Sequence, residues 1–131
     1  MGKRKLESTN MINERHLDEC DLSYALRKLG GRWKILILGK LENKTLRFKE
    51  LKERVGNITE RMLILQLKEL EADGLVTRTA HPVVPPRVDY ELTQLAIDSI
   101  PIWRLLEVWG AQHRNETGNS LPYPKEVGSC D

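Results

Sequence analysis

The stretch FKELKERVGNITERMLILQLKELEADG, residues 48–74, contains two helical segments divided by a glycine turn. In the first, Phe48, Leu51 and Val55 share one side, while Lys49, Glu50, Lys52, Glu53 and Arg54 cover the rest, the pattern of an amphipathic surface helix. Gly56-Asn57 closes it. Thr59 is suited to cap a second helix running to about Asp73, with Leu63, Leu67 and Leu70 turned inward and Gly74 as the stop. Two helices joined by a short glycine-containing turn make a helix-turn-helix.

Beyond Gly74 the period changes from helical to alternating. Val76 and Arg78 alternate with Thr77 and Thr79, and Val88, Tyr90 and Leu92 alternate with Asp89 and Glu91, so two short strands are expected. Between them the three prolines of Ala80-His81-Pro82-Val83-Val84-Pro85-Pro86-Arg87 predict a stiff extended loop that cannot continue a ladder. A hairpin placed directly after a helix-turn-helix is a wing. Upstream, Leu22, Ala25, Leu26 and Leu29 predict a helix stopped by Gly30-Gly31, and the apolar run from Trp33 to Leu41 predicts a short buried one. Downstream, Thr93 is expected to cap a last helix with Leu95, Ile102, Leu106 and Trp109 on one side, Leu105 and Val108 on another, and a kink at Pro101. That is more apolar surface than one small core needs. The expected fold is mainly α with a small β-hairpin, a winged helix-turn-helix over residues 20–114. Residues 1–19 and 115–131 read as polar tails.

The 131 residues suffice for one domain, and 40% hydrophobic with 31% charged residues fits a globular protein without a membrane span. The basic start, Met1-Gly2-Lys3-Arg4-Lys5, lacks the apolar stretch of a signal peptide. Two cysteines, Cys20 and Cys130, fit neither a disulfide framework nor zinc-ligand spacing, which points to a reducing cytoplasm. His16, Cys20, His81 and His113 have no recognised ligand spacing, so no metal and no cofactor is expected. Cys20 with His16 or His113 is the nearest approach to a nucleophile pair, without a phosphate loop, nucleophile elbow or paired acids beside it; catalysis is not expected. A formal net charge of +2 leaves DNA binding to the placement of basic residues rather than to their excess.

In this order of elements the local strings resemble the HxlR-type family of bacterial and archaeal regulators, in the MarR-like superfamily. The resemblance is carried by Leu29-Gly30-Gly31-Arg32-Trp33-Lys34, Arg47-Phe48-Lys49-Glu50-Leu51, Leu67-Lys68-Glu69-Leu70-Glu71-Ala72-Asp73-Gly74-Leu75-Val76, Pro85-Pro86-Arg87-Val88-Asp89-Tyr90-Glu91-Leu92-Thr93 and Trp109-Gly110. It implies a homodimer built by the N- and C-terminal helices, binding a two-fold double-stranded operator and regulating transcription. The interface candidates are Leu22, Leu26, Ile102, Trp103, Leu106 and Trp109.

The inward leucine stripe leaves Glu60, Arg61, Ile64, Leu65 and Lys68 toward the other side of the recognition helix, with Thr59, Glu60 and Arg61 at the end that enters a major groove. Arg61 suits a guanine edge. Glu60 suits either a cytosine amino group or the positive helix terminus. Ile64 and Leu65 stand where the family often carries polar residues; they either meet thymine methyls or pack. Phosphate contacts are expected from Arg47, Lys49, Lys68, His81 and Arg87, although lysines interleaved with glutamates also make an ordinary solvated face. Trp33, Phe48, Tyr90, Trp103 and Trp109 are expected in the core or at a dimer contact rather than on a stacking surface.

Cys20, just before the first helix, sits where amides and the helix dipole favour a thiolate. Several members of the family carry a cysteine there and use it to sense oxidants or electrophiles. Asp21 stands where a proline is common, and its carboxylate opposes ionisation. An inert interface cysteine is the alternative, as are control by a small-molecule effector and a winged-helix protein-binding module without DNA affinity.

Overall fold

The computed structural model describes residues 20–118. The chain divides into two units, Met1–Gly31 and Arg32–Asp131. In the first, Cys20 takes an extended backbone conformation and its carbonyl accepts from the Tyr24 N–H at 2.8 Å, opening α1 (Asp21–Leu29). The helix ends where the sequence stops it. The Gly30 N–H bonds the Leu26 carbonyl, and a Cβ at position 30 would lie 2.2 Å from that oxygen, so the close turn requires glycine. Leu22, Tyr24 and Leu26 are exposed.

The second unit contains α2 (Lys34–Lys40), β1 (Leu46–Arg47), α3 (Phe48–Val55), α4 (Glu60–Ala72), β2 (Val76–His81), β3 (Arg87–Leu92) and α5 (Gln94–Thr117). Its core gathers Ile37 and Leu38 of α2, Leu41, Leu46 of β1, Leu51 of α3, Ile58, the Leu63, Leu67 and Leu70 stripe of α4, Leu75, Val76, Tyr90, and Ala96 and Trp103 of α5. Thr59 caps α4, its Oγ1 accepting from the Met62 N–H at 3.1 Å. Lys34 of α2 pairs with Glu69 of α4 at 2.8 Å, fixing the outer side of that packing.

The sheet has three strands in the order β1-β3-β2, all antiparallel. The hairpin is thus larger than the sequence pattern suggests. Leu46 and Arg47 pair with Tyr90 and Asp89, a strand too short to leave a period of its own. The β2–β3 ladder continues through Ala80↔Val88 to His81↔Arg87, so only residues 82–86 form the loop. The three prolines occupy positions 82, 85 and 86, just outside the last pair, and cost the ladder no donor.

Thr93 caps α5 as expected, accepting from the Ala96 N–H at 3.3 Å. The helix runs to Thr117, past residue 114, and continues on both sides of Pro101. Its buried residues are Ala96, Ser99 and Trp103. Trp103 therefore belongs to the core of its own unit, at 4% exposure, and not to a subunit interface. The two apolar sides read from the sequence are the exposed ones: Leu95, Ile102, Leu105, Leu106, Val108 and Trp109 all face outward. Arg104 is drawn to Glu42 and Glu107, and its guanidinium lies over the Trp103 ring. Among the described residues no helix is long and apolar enough to cross a membrane. Cys130 and His16 lie outside the described residues.

Candidate nucleic-acid interface

Burying Leu63, Leu67 and Leu70 leaves α4 with a free face that is itself divided. Glu60, Ile64, Lys68 and Glu71 border a cleft of about 550 Å3, closed on the other side by Arg78, Val88 and Tyr90 of the hairpin and by Phe48. Arg61 and Leu65, both exposed, are not part of that lining. Ile64, 40% exposed, thus faces the cleft on the sheet side of the helix, while Arg61 and Leu65 occupy the outer stripe. Thr59 already spends its hydroxyl as an acceptor on the helix cap. Arg61, one residue into the helix from Glu60, is the cation nearest the end that a major groove receives.

Arg47 is the N-cap residue of α3, and its N–H bonds the Glu50 carboxylate at 2.9 Å. Both Arg47 and Lys49 are exposed at the start of that helix.

The wing holds an arrangement that sequence reading missed. Asp89 Oδ2 accepts from His81 Nε2 at 2.8 Å and from an Arg87 Nη2–H at 3.2 Å. The Asp89 side chain is 12% exposed. Burial works to raise its pKa, but the hydrogen bond from His81 and the charge and hydrogen bond of Arg87 outweigh it, so the carboxyl stays below its ordinary value. His81 and Arg87, expected as phosphate contacts, are each tied to a carboxylate, and the Arg87 Nε is buried without a partner. Their register, His81↔Arg87, was the signal that would have found this, since it places Asp89 diagonally beside His81 on one face.

Cys20 is an exposed free thiol at the N-cap of α1. The amide and hydroxyl of Ser23 and the amide of Leu22 hold it below its ordinary pKa despite a small opposing effect of burial. The neighbouring Asp21 does not reverse this.

A capped helix presenting an arginine beside a three-stranded wing is the architecture of winged helix-turn-helix DNA-binding transcriptional regulators. The model of the HxlR-like helix-turn-helix family matches residues 28–118, and the chain belongs to that family. It is 45% identical over 102 residues to an uncharacterised HTH-type transcriptional regulator of Halalkalibacterium halodurans, covering 77% of this chain and 90% of the relative. Among solved structures it is similar to the redox regulator HypR in its reduced form, with a TM-score of 0.71, 36% identity and coverage of 77% of this chain and all of that one, 100%. The reduced form of the transcriptional regulator YodB from B. subtilis gives a TM-score of 0.64 at 34% identity, covering 71% of this chain and 92% of that one.

Proposed function

We propose that this regulator binds a two-fold operator as a homodimer in a reducing cytoplasm, without catalytic activity, reading bases through Arg61 and releasing DNA when Cys20 is oxidised. The observation that carries the DNA reading is the exposed Arg61–Leu65 stripe on a helix end capped by Thr59. Arg47, Lys49 and Lys68 add backbone contacts, and Glu60 supports the helix terminus through its charge. Support for the dimer comes from apolar residues left uncovered on each helix taken alone: Leu22 and Leu26 on α1, and Ile102, Leu106 and Trp109 on α5. Trp103 has no part in it, being buried.

Support for redox control comes from the exposed, acidified Cys20 and from the similarity to the redox regulator HypR. Diamide would take two hydrogens from Cys20 and a second thiol to leave a disulfide.

The test is a fluorescence-anisotropy titration on the chain's own upstream DNA at near-physiological salt with random competitor, repeated after diamide. Arg61→Ala should weaken operator binding far more than random binding, since a bidentate arginine–guanine contact gives about 1–3 kcal/mol of discrimination. Equal losses on both refute base reading. Oxidation should release the DNA of the wild type and not of Cys20→Ser. Release that persists in Cys20→Ser sinks the switch and leaves a small-molecule effector as the control to seek. Binding to no DNA, including a genome-wide selection, would replace the regulator with a protein-binding module.

A further inference from the structure

The cleft between α4 and the sheet contains a cation, Arg78, that the wing's ion pairs do not engage. Directly paired residues of a hairpin share a face, so Val76, Arg78 and Ala80 lie on the face of Leu92, Tyr90 and Val88. Val76 and Tyr90 of that face are buried in the core. Arg78, next on that face after Val76 and paired with Tyr90, is exposed and lines the cleft with Phe48 and Tyr90 opposite Ile64 and Lys68 of α4. Its guanidinium has no ion pair or hydrogen bond among the described residues. The other face of the hairpin carries His81, Arg87 and Asp89, where the Arg87 guanidinium is already paired with the Asp89 carboxylate.

We propose that Arg78, together with Lys68, forms a backbone-phosphate site in this cleft, and that Arg78 rather than Arg87 is the principal phosphate-binding cation of the sheet. The proposal rests on the DNA-binding reading. A recognition helix in the major groove and a wing over the adjacent minor groove are separated by one sugar-phosphate strand, and the cleft between α4 and the hairpin is the place for it. Phe48, Val88 and Tyr90 give the cleft an apolar floor, which would accommodate the sugar. Glu60 and Glu71 also line the cleft. Two cations balance these two carboxylates, so removing either cation leaves a net negative cleft that repels DNA.

A structural account is also available to Arg78: its aliphatic stem covers Phe48 and Tyr90 while the head stays in water. The variants separate the two. Arg78→Met keeps the stem and loses the charge, and Arg78→Lys keeps the charge. Each is titrated by anisotropy against operator and random duplexes over a salt series, with thermal unfolding beside it. Arg78→Met should bind both duplexes about tenfold or more weakly, reduce the slope of log affinity against log salt by about one, and melt like the wild type. Arg78→Lys should recover most of the affinity, and Arg87→Met should change the slope less than Arg78→Met. A wild-type slope in Arg78→Met overturns the site. So does a loss of affinity that only tracks a lower melting temperature, or one confined to the operator. A wild type that binds no DNA in any selection removes the regulator reading itself, a different result from variants that bind with an unaltered slope.

Discussion

Thr93 occupies the joint between the wing and α5, and its replacement measures how firmly the wing is anchored. Its hydroxyl donates to the Gly74 carbonyl at 2.6 Å and accepts from the Ala96 N–H at 3.3 Å, while its own N–H bonds the Leu75 carbonyl at 3.2 Å. Gly74 and Leu75 form the turn by which the chain leaves α4, and Gly74 takes a φ of 74°. One side chain therefore ties the start of α5 to the end of the recognition helix. Thr93→Val preserves shape and the backbone bond but removes both roles of the hydroxyl. Loss of the cap costs about 1 kcal/mol, and loss of the bond to the Gly74 carbonyl costs about 1 kcal/mol. The sum, about 2 kcal/mol, corresponds to a fall of roughly 8 °C in Tm for a domain of this size. Thr93→Ser retains both hydrogen bonds and should melt near the wild type. Thermal unfolding must be followed at one protein concentration, because subunit dissociation shifts the midpoint. If Thr93→Val melts within about 2 °C of Thr93→Ser, the hydroxyl does not anchor the wing and the reasoning fails.

The wing's ion cluster predicts an acid response. Burial opposes ionisation of Asp89, but His81 and Arg87 lower its pKa in the folded protein, so its stabilisation is present above the unfolded-state value and is lost as pH falls through the lower folded-state value. From about pH 5 downward the wild type should lose more stability than Asp89→Asn, whose urea midpoints are compared at each pH; parallel curves would contradict the assignment. The two tryptophans of α5 should behave differently, Trp103 being 4% and Trp109 59% exposed. Trp103→Ala should cost about 3–5 kcal/mol of folding stability by urea titration. Trp109→Ala should leave the fold intact and shift sedimentation toward monomer, and an unchanged mass would remove Trp109 from the interface.

The parts of the fold that could be read in advance are those whose causes are local. Thr59 and Thr93 cap the helices they precede, Gly30 stops α1 because no Cβ fits there, and the Leu63, Leu67, Leu70 spacing buries one face of α4. The third strand was illegible because two residues, Leu46 and Arg47, are held only by a distant partner strand. In α5 the inward stripe itself left little trace in the sequence. Weighting by large apolar residues picked out two stripes, both exposed, whereas the inward stripe is Ala96, Ser99 and Trp103. Two of those three are small, and Ser99 satisfies its hydroxyl on the Ala96 carbonyl at 2.6 Å, so the stripe carries little hydrophobic signal. At the candidate site, Arg61 follows from helical periodicity alone. Asp89 and Arg78 become visible only when the hairpin register assigns each strand residue to a face.

That register also resolves how a chain of formal net charge +2 can present a DNA-binding surface. Overall excess of cations is not required if acidic groups are used to neutralise some basic side chains and not others. Lys34 is paired with Glu69, Arg104 with Glu42 and Glu107, and Arg87 with Asp89. Arg61 and Arg78 have no such partner among the described residues, and they stand on the outer stripe of α4 and in the cleft beside it. Pairing also links the two strands of the wing through Asp89 and His81, and α2 to α4 through Lys34 and Glu69. The acidic groups that lower the net charge thus engage Lys34, Arg87 and Arg104, and leave Arg61 on the outer stripe of α4 and Arg78 in the cleft available to a phosphodiester strand.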